Sequence, residues 1–317
     1  MSGQFIISLD FELLWGVRDH ADQNSYGKNV LGARLAIPRM LDLFAGNDIR
    51  ATWATVGLLF CESRDEMIEM SPPSELRPRY SNPNLSNYAY FSELGKDEVD
   101  DPYYYAASII DQISKAPGQE IATHTFSHFY PLEPGATLQA FEADLAAAQA
   151  VAQRRNINIQ SIVFPRNQYG DEHVAACKNA GIVNWRGNSS GWAYKSTAGD
   201  KQTLARRGLR LIDAHTGILG AQAFRDNPGN FRNVPASHFL RPCAGKLAVV
   251  HPAHIAMVMR SMTYAAKTGC GYHLWWHPHN FGVNLEENMT SLSKVIAHYK
   301  KLETEYGMVS KTMGDQP

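Results

Sequence analysis

Short apolar runs alternate along this chain with longer segments in which apolar residues recur every three or four positions. A continuous apolar run of four to eight residues predicts a buried strand, and the longer spacing predicts a helix with one buried stripe. Phe5 to Leu9, Arg50 to Leu59 with a turn at Gly57, Glu120 to Thr123, Ser161 to Phe164 and Gly271 to His277 read as strands. Leu31 to Phe44, Tyr103 to Ser114, Thr137 to Arg155, Asp171 to Ala180, Leu247 to Lys267 and Ser291 to Tyr306 read as helices. Pro38 suggests a helix start inside the first of these. Thr137 suits an N-cap and Gly181 a C-cap. Strands alternating with helices predict parallel β-α units. About seven such units fit an α/β fold of the distorted (β/α) barrel kind, in one catalytic domain over 1–317. Two stretches break the alternation. Residues 71–101 are rich in Pro, Asn, Ser and Tyr, and residues 187–241 are Gly-rich and irregular, with a basic run R-R-G-L-R at 206–210. Loops this long are usually functional or mobile, and the first reads as a substrate lid or a solvated excursion.

Composition narrows the partners. Of the 317 residues 44 % are hydrophobic, enough for a sizeable core, and the formal net charge is −1. That balance gives no electrostatic case for a nucleic-acid partner or an anionic membrane surface. No stretch of 18 apolar residues exists, so no membrane span is expected. Four cysteines, with no C-x-x-C pair, read as reduced thiols. Met1 to Gln4 leads directly into F-I-I-S-L without a basic start or a long apolar region, so a cytoplasmic location is expected.

Three clusters carry chemistry. Asp10 and Glu12, in I-I-S-L-D-F-E, stand at the C-terminal end of the first strand. Residues two apart on a strand share a side, so both carboxylates can face one site. One is best neutralised by a cation, leaving the other to take protons. His124 and His128, in H-T-F-S-H, stand four apart just after a strand, on one helical face or one side of a tight turn. That pair predicts a metal clamp. In Y-H-L-W-W-H-P-H, period-two alternation puts His273, Trp275, His277 and His279 on one side, with Leu274, Trp276 and Pro278 on the other. One of these histidines can serve as a general acid, and His273, deeper along the strand, reads as a core residue. Trp53, Trp275 and Trp276 are candidates for a wall that stacks on a sugar ring, with core packing the alternative. Asn167 and His279 are further candidate substrate contacts.

The order of D-x-E, A-T-W-A-T-V-G, H-T-F-S-H, F-P-R-N-Q-Y-G and W-W-H-P-H resembles the polysaccharide deacetylase superfamily, the NodB-homology or carbohydrate esterase family 4 group, over about residues 4 to 300. The resemblance implies a divalent metal, often zinc, held by His124, His128 and one acidic residue. Phe11 stands where the family commonly has its second aspartate. By analogy with D-x-E members, Glu12 is the third ligand and Asp10 the general base, with the opposite assignment as the alternative. His277 matches the family's general acid. The family's third motif has an arginine two residues before a proline, but Val163 holds that place ahead of Pro165, so Arg166 becomes the candidate to reach the catalytic carboxylate. The implied activity is metal-dependent removal of an acyl group from an N-acetylated sugar or glycan precursor. Hydrolysis of a small cyclic amide, imide or ureide is the alternative. A non-catalytic relative that binds carbohydrate is the third reading, motivated by the altered third motif.

Overall fold

In a computed structural model of the chain, residues 2–197, 203–225, 229 and 231–315 are described. The first strand, β1 (Gln4–Phe11), decides what faces where. Its Phe5, Ile7, Leu9 and Phe11 join the main core, whereas Ile6 belongs to a separate apolar cluster with Ala54, Ala122, Val163, Val234 and Met313. The two clusters lie on opposite faces of one sheet, as the two-residue period of a strand requires.

That sheet is completed by β2 (Ala51–Thr55), β3 (Gln119–Thr123), β4 (Ser161–Ile162), β5 (Asn184–Trp185), β6 (Arg232–Asn233), β7 (His238–Phe239), β8 (Gly271–Trp276) and β9 (Val309–Lys311). The order is β6-β5-β4-β3-β2-β1-β8-β7, with β9 also paired to β1, and every pairing is parallel. The sheet curls into a half-barrel, the expected distorted (β/α) barrel. Around it lie α1 (Gln23–Ala45), α2 (Arg64–Met70), α3 (Ala107–Lys115), α4 (Leu138–Gln153), α5 (Asp171–Asn179), α6 (Leu204–Thr216), α7 (His251–Thr268) and α8 (Leu285–Tyr306). No helix among the described residues is long and apolar enough to cross a membrane.

One extended stretch ties the two ends of the sheet together. The Val234 and Ala236 amides donate to the carbonyls of Trp185 and Gly187, at 2.9 and 2.8 Å. A few residues on, the Ser237 and Leu240 amides donate to His273 and Trp275, both at 2.8 Å. The opposite, N-terminal end of the strands is covered by the tail after β9. Met313 N donates to Thr52 Oγ1 at 2.8 Å, Gly314 N donates to Glu120 at 2.9 Å, and buried Arg232 donates to the carbonyls of Met313 and Asp315, both at 3.0 Å.

Several expected elements differ in extent. Helix α1 begins at Gln23, where Asp22 and Ser25 form a reciprocal cap, and it runs straight through Pro38. Residues 71–101 are not a solvated excursion. Asn87 is buried there and donates to the carbonyls of Trp15 and Ser127, both at 3.0 Å, and Tyr80 Oη accepts from Tyr130 N at 2.9 Å. The 187–241 stretch is not irregular throughout, since it contains α6, β6 and β7. Residues 198–202, 226–228 and 230 of that stretch lie outside the described residues.

Candidate metal and hydrolytic site

Because the strands are parallel, their C-terminal ends share one rim, where such folds gather functional side chains. Asp10 and Glu12 end β1, His124 follows β3, Asn167 follows β4, Arg186 follows β5, and His277 follows β8. Residues far apart in sequence therefore meet at one place.

Glu12, His124 and His128 are buried, and one ligand atom from each lies within 4.8 Å of the other two. The Nε2 atoms of His128 and His124 stand 3.0 and 3.4 Å from Glu12 Oε2. His124 Nδ1 is 2.8 Å from the Val163 carbonyl, which can only accept. Its hydrogen therefore sits on Nδ1, and Nε2 is left as a lone-pair donor. His128 Nδ1 lies 3.0 Å from Tyr130 Oη, a hydroxyl that is able to accept its hydrogen and leave Nε2 facing Glu12. A Cβ on Gly16 would overlap the Glu12 carboxylate, so glycine there lets the carboxylate fold inward. Among the described residues Glu12 has no lysine or arginine partner, only His124, His128, His277 and His279. A buried carboxylate without a fixed cation, facing two imidazoles, fits a metal ion. Burial opposes ionisation of Glu12, but His277, His124 and His128 outweigh it and hold the carboxyl well below its usual range.

The loop carrying the two histidines is a tight turn rather than a helix. Thr125 and His128 adopt φ of +64° and +58°, a left-handed conformation that a β-branched residue rarely takes. Local bonds fix it. Thr125 Oγ1 donates to the His124 carbonyl at 2.6 Å and accepts from Phe129 N at 2.7 Å. Buried Asp144, from α4, accepts from Phe126 N at 2.6 Å, from Ser127 N and from the Ser127 hydroxyl. Burial pushes the Asp144 carboxyl up to about 6, against the pull of its Ser127 and Phe126 donors.

Asp10 is held differently. Arg186 grips it in a two-point fork, Nη1 to Oδ1 at 2.6 Å and Nη2 to Oδ2 at 2.8 Å. The same guanidinium reaches Ser8 Oγ at 2.9 Å and Asn167 Oδ1 at 3.0 Å, and stacks 4.3 Å from the Trp275 ring. Burial alone would raise the Asp10 carboxyl, but Arg186 chiefly, with His124 and His277, brings it below the ordinary range. His277 Nε2 sits 3.7 Å from Asp10 and 3.6 Å from Glu12, and its side chain is 23 % exposed.

Three expected roles need correction. Arg166 does not reach Asp10. With Asn167 it forms a left-handed turn, φ +53° at both residues, and its guanidinium pairs with Asp19 and lies 4.2 Å from the Tyr130 ring. Arg186 does that work instead. It was missed because its strand, Asn184–Trp185, is too short to show a period, and its partner lies 176 residues away. Trp53 and Trp276 offer no sugar wall. Both are wholly buried on the helix side of the sheet, near Phe44, and Trp53 Nε1 donates to Gln119 at 2.9 Å. Trp275 is on the inner face and lines an open cleft with His277 and Asn167. His279 is not at the surface of that cleft. It is 3 % exposed, stacks on His277 with ring centroids 5.0 Å apart, and turns Nε2 toward Glu12 at 3.9 Å. Burial first, then His277, lowers His279 to about 3. His273 is the core residue expected of it, bonded to Ser8 Oγ at 2.8 Å.

No family model and no curated protein sequence matches the chain. Solved structures do. A structure assigned to the polysaccharide deacetylases, from Mycobacterium smegmatis, superposes with a TM-score of 0.60 at 11 % identity, covering 99 % of this chain and 88 % of that one. PuuE allantoinase gives 0.54 at 9 % identity, over 99 % and 86 %. A 4-alpha-glucanotransferase from Thermococcus litoralis gives 0.53 at 11 %, over 99 % of this chain but 39 % of that one. Three different chemistries on one scaffold mean that these likenesses establish the fold, and that activity has to be argued from the site.

Proposed function

We propose that this protein is a metal-dependent hydrolase that removes an N-acetyl group from an amino sugar or a sugar-containing precursor. The observation that carries the reading is the abutment of two units at one rim: the Glu12–His124–His128 donor set and the Arg186-clamped Asp10, with His277 between their carboxylates. A divalent ion such as zinc supplies Lewis acidity and a nucleophilic water at neutral pH. Glu12, His124 and His128 would hold it. Asp10, kept ionised and oriented by Arg186, takes the proton from the attacking water. His277, within 4 Å of both carboxylates and partly exposed to the cleft, gives a proton to the leaving nitrogen. Trp275, which lines the cleft, would offer apolar surface to a sugar.

Arg186 also weakens the case for a non-catalytic relative, since the arginine missing before Pro165 is replaced from another strand. Hydrolysis of a small cyclic amide is the second reading, favoured by the fold shared with an allantoinase. The deciding experiment uses zinc-supplied protein against a panel of N-acetylated amino sugars and a panel of cyclic amides, with acetate release and ring opening both followed. Acetate from a sugar is expected. Turnover of cyclic amides alone would replace the reading with the second one. His124→Ala and His128→Ala should lower bound metal from about one equivalent to a small fraction of that, and abolish activity. Full metal content in either variant would refute the ligand set.

A further inference from the structure

One side chain of the 71–101 stretch joins the two turns that carry Glu12 and His128. Asn87 is buried, and its Nδ2 donates to the Trp15 carbonyl and to the Ser127 carbonyl, both at 3.0 Å. Both acceptors are backbone carbonyls, which cannot donate, so the amide nitrogen faces them and both of its hydrogens are used. Each acceptor is coupled to a donor of the metal set. The Trp15 amide donates to the Glu12 carbonyl at 3.1 Å, closing the short 3-10 turn (Leu13–Gly16) that follows Glu12. Gly16, joined to the Trp15 carbonyl, is the residue whose missing Cβ makes room for the Glu12 carboxylate. The Ser127 carbonyl belongs to the peptide unit that enters His128, whose φ of +58° is left-handed. A residue in that region keeps its conformation only where its surroundings fix it. Neighbouring residues of the stretch hold the same turn. Tyr88 Oη donates to Asp144 Oδ2 at 3.2 Å, and Asp144 in turn accepts from the Phe126 and Ser127 amides. Beyond His128, the Arg79 and Ser81 amides donate to the Gly135 and Pro134 carbonyls at 3.1 and 2.8 Å.

Resting on Glu12, His124 and His128 as the metal ligands, we propose that Asn87 is a positioning residue of the metal centre. It fixes the spacing between the Glu12 turn and the His128 turn, and so sets the affinity for the ion. Glu12 and His128 stand 116 residues apart in sequence, and one amide group bonds to the turns of both. The 71–101 stretch is then a brace for the metal centre rather than a substrate lid. Ligands that are oriented by partners behind them bind metal more tightly, because less of the binding free energy goes into ordering them.

The test reads metal affinity apart from stability. Zinc binding is measured by competition with a chelator on folded protein, beside urea unfolding of the metal-free chain. Asn87→Ala is compared with two controls. Met313→Ala weakens the fold at the far end of the strands. Asn82→Ala removes a bond within the same stretch, the one from Asn84 N to the exposed Asn82 side chain at 3.2 Å. Asn87→Ala should lose about ten- to a hundredfold in zinc affinity, the scale found when support behind metal ligands is removed. Both controls should keep the wild-type affinity. Tyr88→Phe, which takes one hydroxyl from behind Asp144, should lose affinity to a smaller extent, and it carries the test if Asn87→Ala does not fold without metal. Wild-type affinity in Asn87→Ala, or in Tyr88→Phe where the first variant does not fold, would overturn the proposal. So would an equal loss in Met313→Ala, which would mark a general loosening of the fold. If the wild-type chain binds no more zinc than His128→Ala, the ligand assignment itself fails, and the proposal with it.

Discussion

Arg186 is fully buried and satisfies Asp10 through both carboxylate oxygens, so neither partner is tolerable alone. Breaking a buried pair by removing one side costs about 3–5 kcal/mol. Arg186→Gln should lower stability by that order. It should also reduce kcat about a hundredfold or more, because a displaced base loses its alignment. Arg186→Lys keeps the charge but not the fork and should fall between. The comparison that matters is with Arg166→Gln. If the two variants lost kcat equally, the assignment of Arg186 as the clamp would fail. Asp144 gives a pH-dependent test. Its folded carboxyl, at about 6, lies roughly two units above its ordinary value of 3.8. The folded chain thus binds the proton more tightly than the unfolded chain. The associated stability is fully present below pH 3.8 and is lost as pH rises through about 6. Two units correspond to about 3 kcal/mol. With metal chelated throughout, urea unfolding at pH 4 to 7 should show wild type losing about that much relative to Asp144→Asn. A constant difference between the two would show that Asp144 titrates normally.

At the scale of elements, legibility followed the range of the signal. The histidine pair and the D-x-E run could be read because each is local and ends an apolar strand. The period-two reading of β8 already separated Trp275 from Trp276, and the structure assigns only the first to the cleft. Two features left weak traces. The first turns of α1, Q-N-S-Y-G-K-N, bring few apolar residues to its buried stripe, so only the Asp22–Ser25 cap marks the start. Pro38 looks like a boundary, yet packing of Ile37, Met40 and Phe44 into the core holds the helix together across it. The close approach of α1 to the turn after β8 was invisible, because it depends on absent side chains. A Cβ on Gly32 would overlap the Gly282 carbonyl, and one on Gly282 would overlap the Asn29 carbonyl. From the same helix Tyr26 packs edge-on against His279, and its hydroxyl donates to Asn280 at 3.1 Å. Gly32→Ala should therefore push α1 off the turn that follows His277. Overpacking of this kind costs about 1–3 kcal/mol. A fall in kcat without loss of bound metal is expected, since Glu12, His124 and His128 are on other elements. Normal kcat in a destabilised variant would mean that the helix supports the fold but not His277.

For the whole molecule, the sheet puts chemistry at one end and closure at the other. The alternation of strands and helices announced the barrel, but its plug was not legible. Val309–Lys311 is short, and the polar residues after it look like an ordinary tail. In the structure β9 pairs with β1, and Met313 completes the inner apolar cluster with Ile6, Ala54, Ala122, Val163 and Val234. Arg50 adds a two-point pair with Asp315, at 2.6 and 2.7 Å. Without the tail, Arg232 would lose both of its carbonyl acceptors, and Glu120 would lose the Gly314 amide. A chain ending at Met308 should lose several kcal/mol, since exposing one large apolar side chain costs about 1.5–3 kcal/mol and each orphaned buried polar group about 1–3 kcal/mol. Met313→Ala tests the apolar share alone. It opens a cavity next to Ile6 without touching the Arg232 bonds, and should cost about 2–5 kcal/mol. Metal affinity should change little in Met313→Ala, because the donors stand at the far end of the strands. Denaturant unfolding followed beside zinc titration distinguishes the cases. Stability falling with metal affinity intact is the expected pattern, whereas loss of both in proportion would show that the two ends of the barrel are coupled.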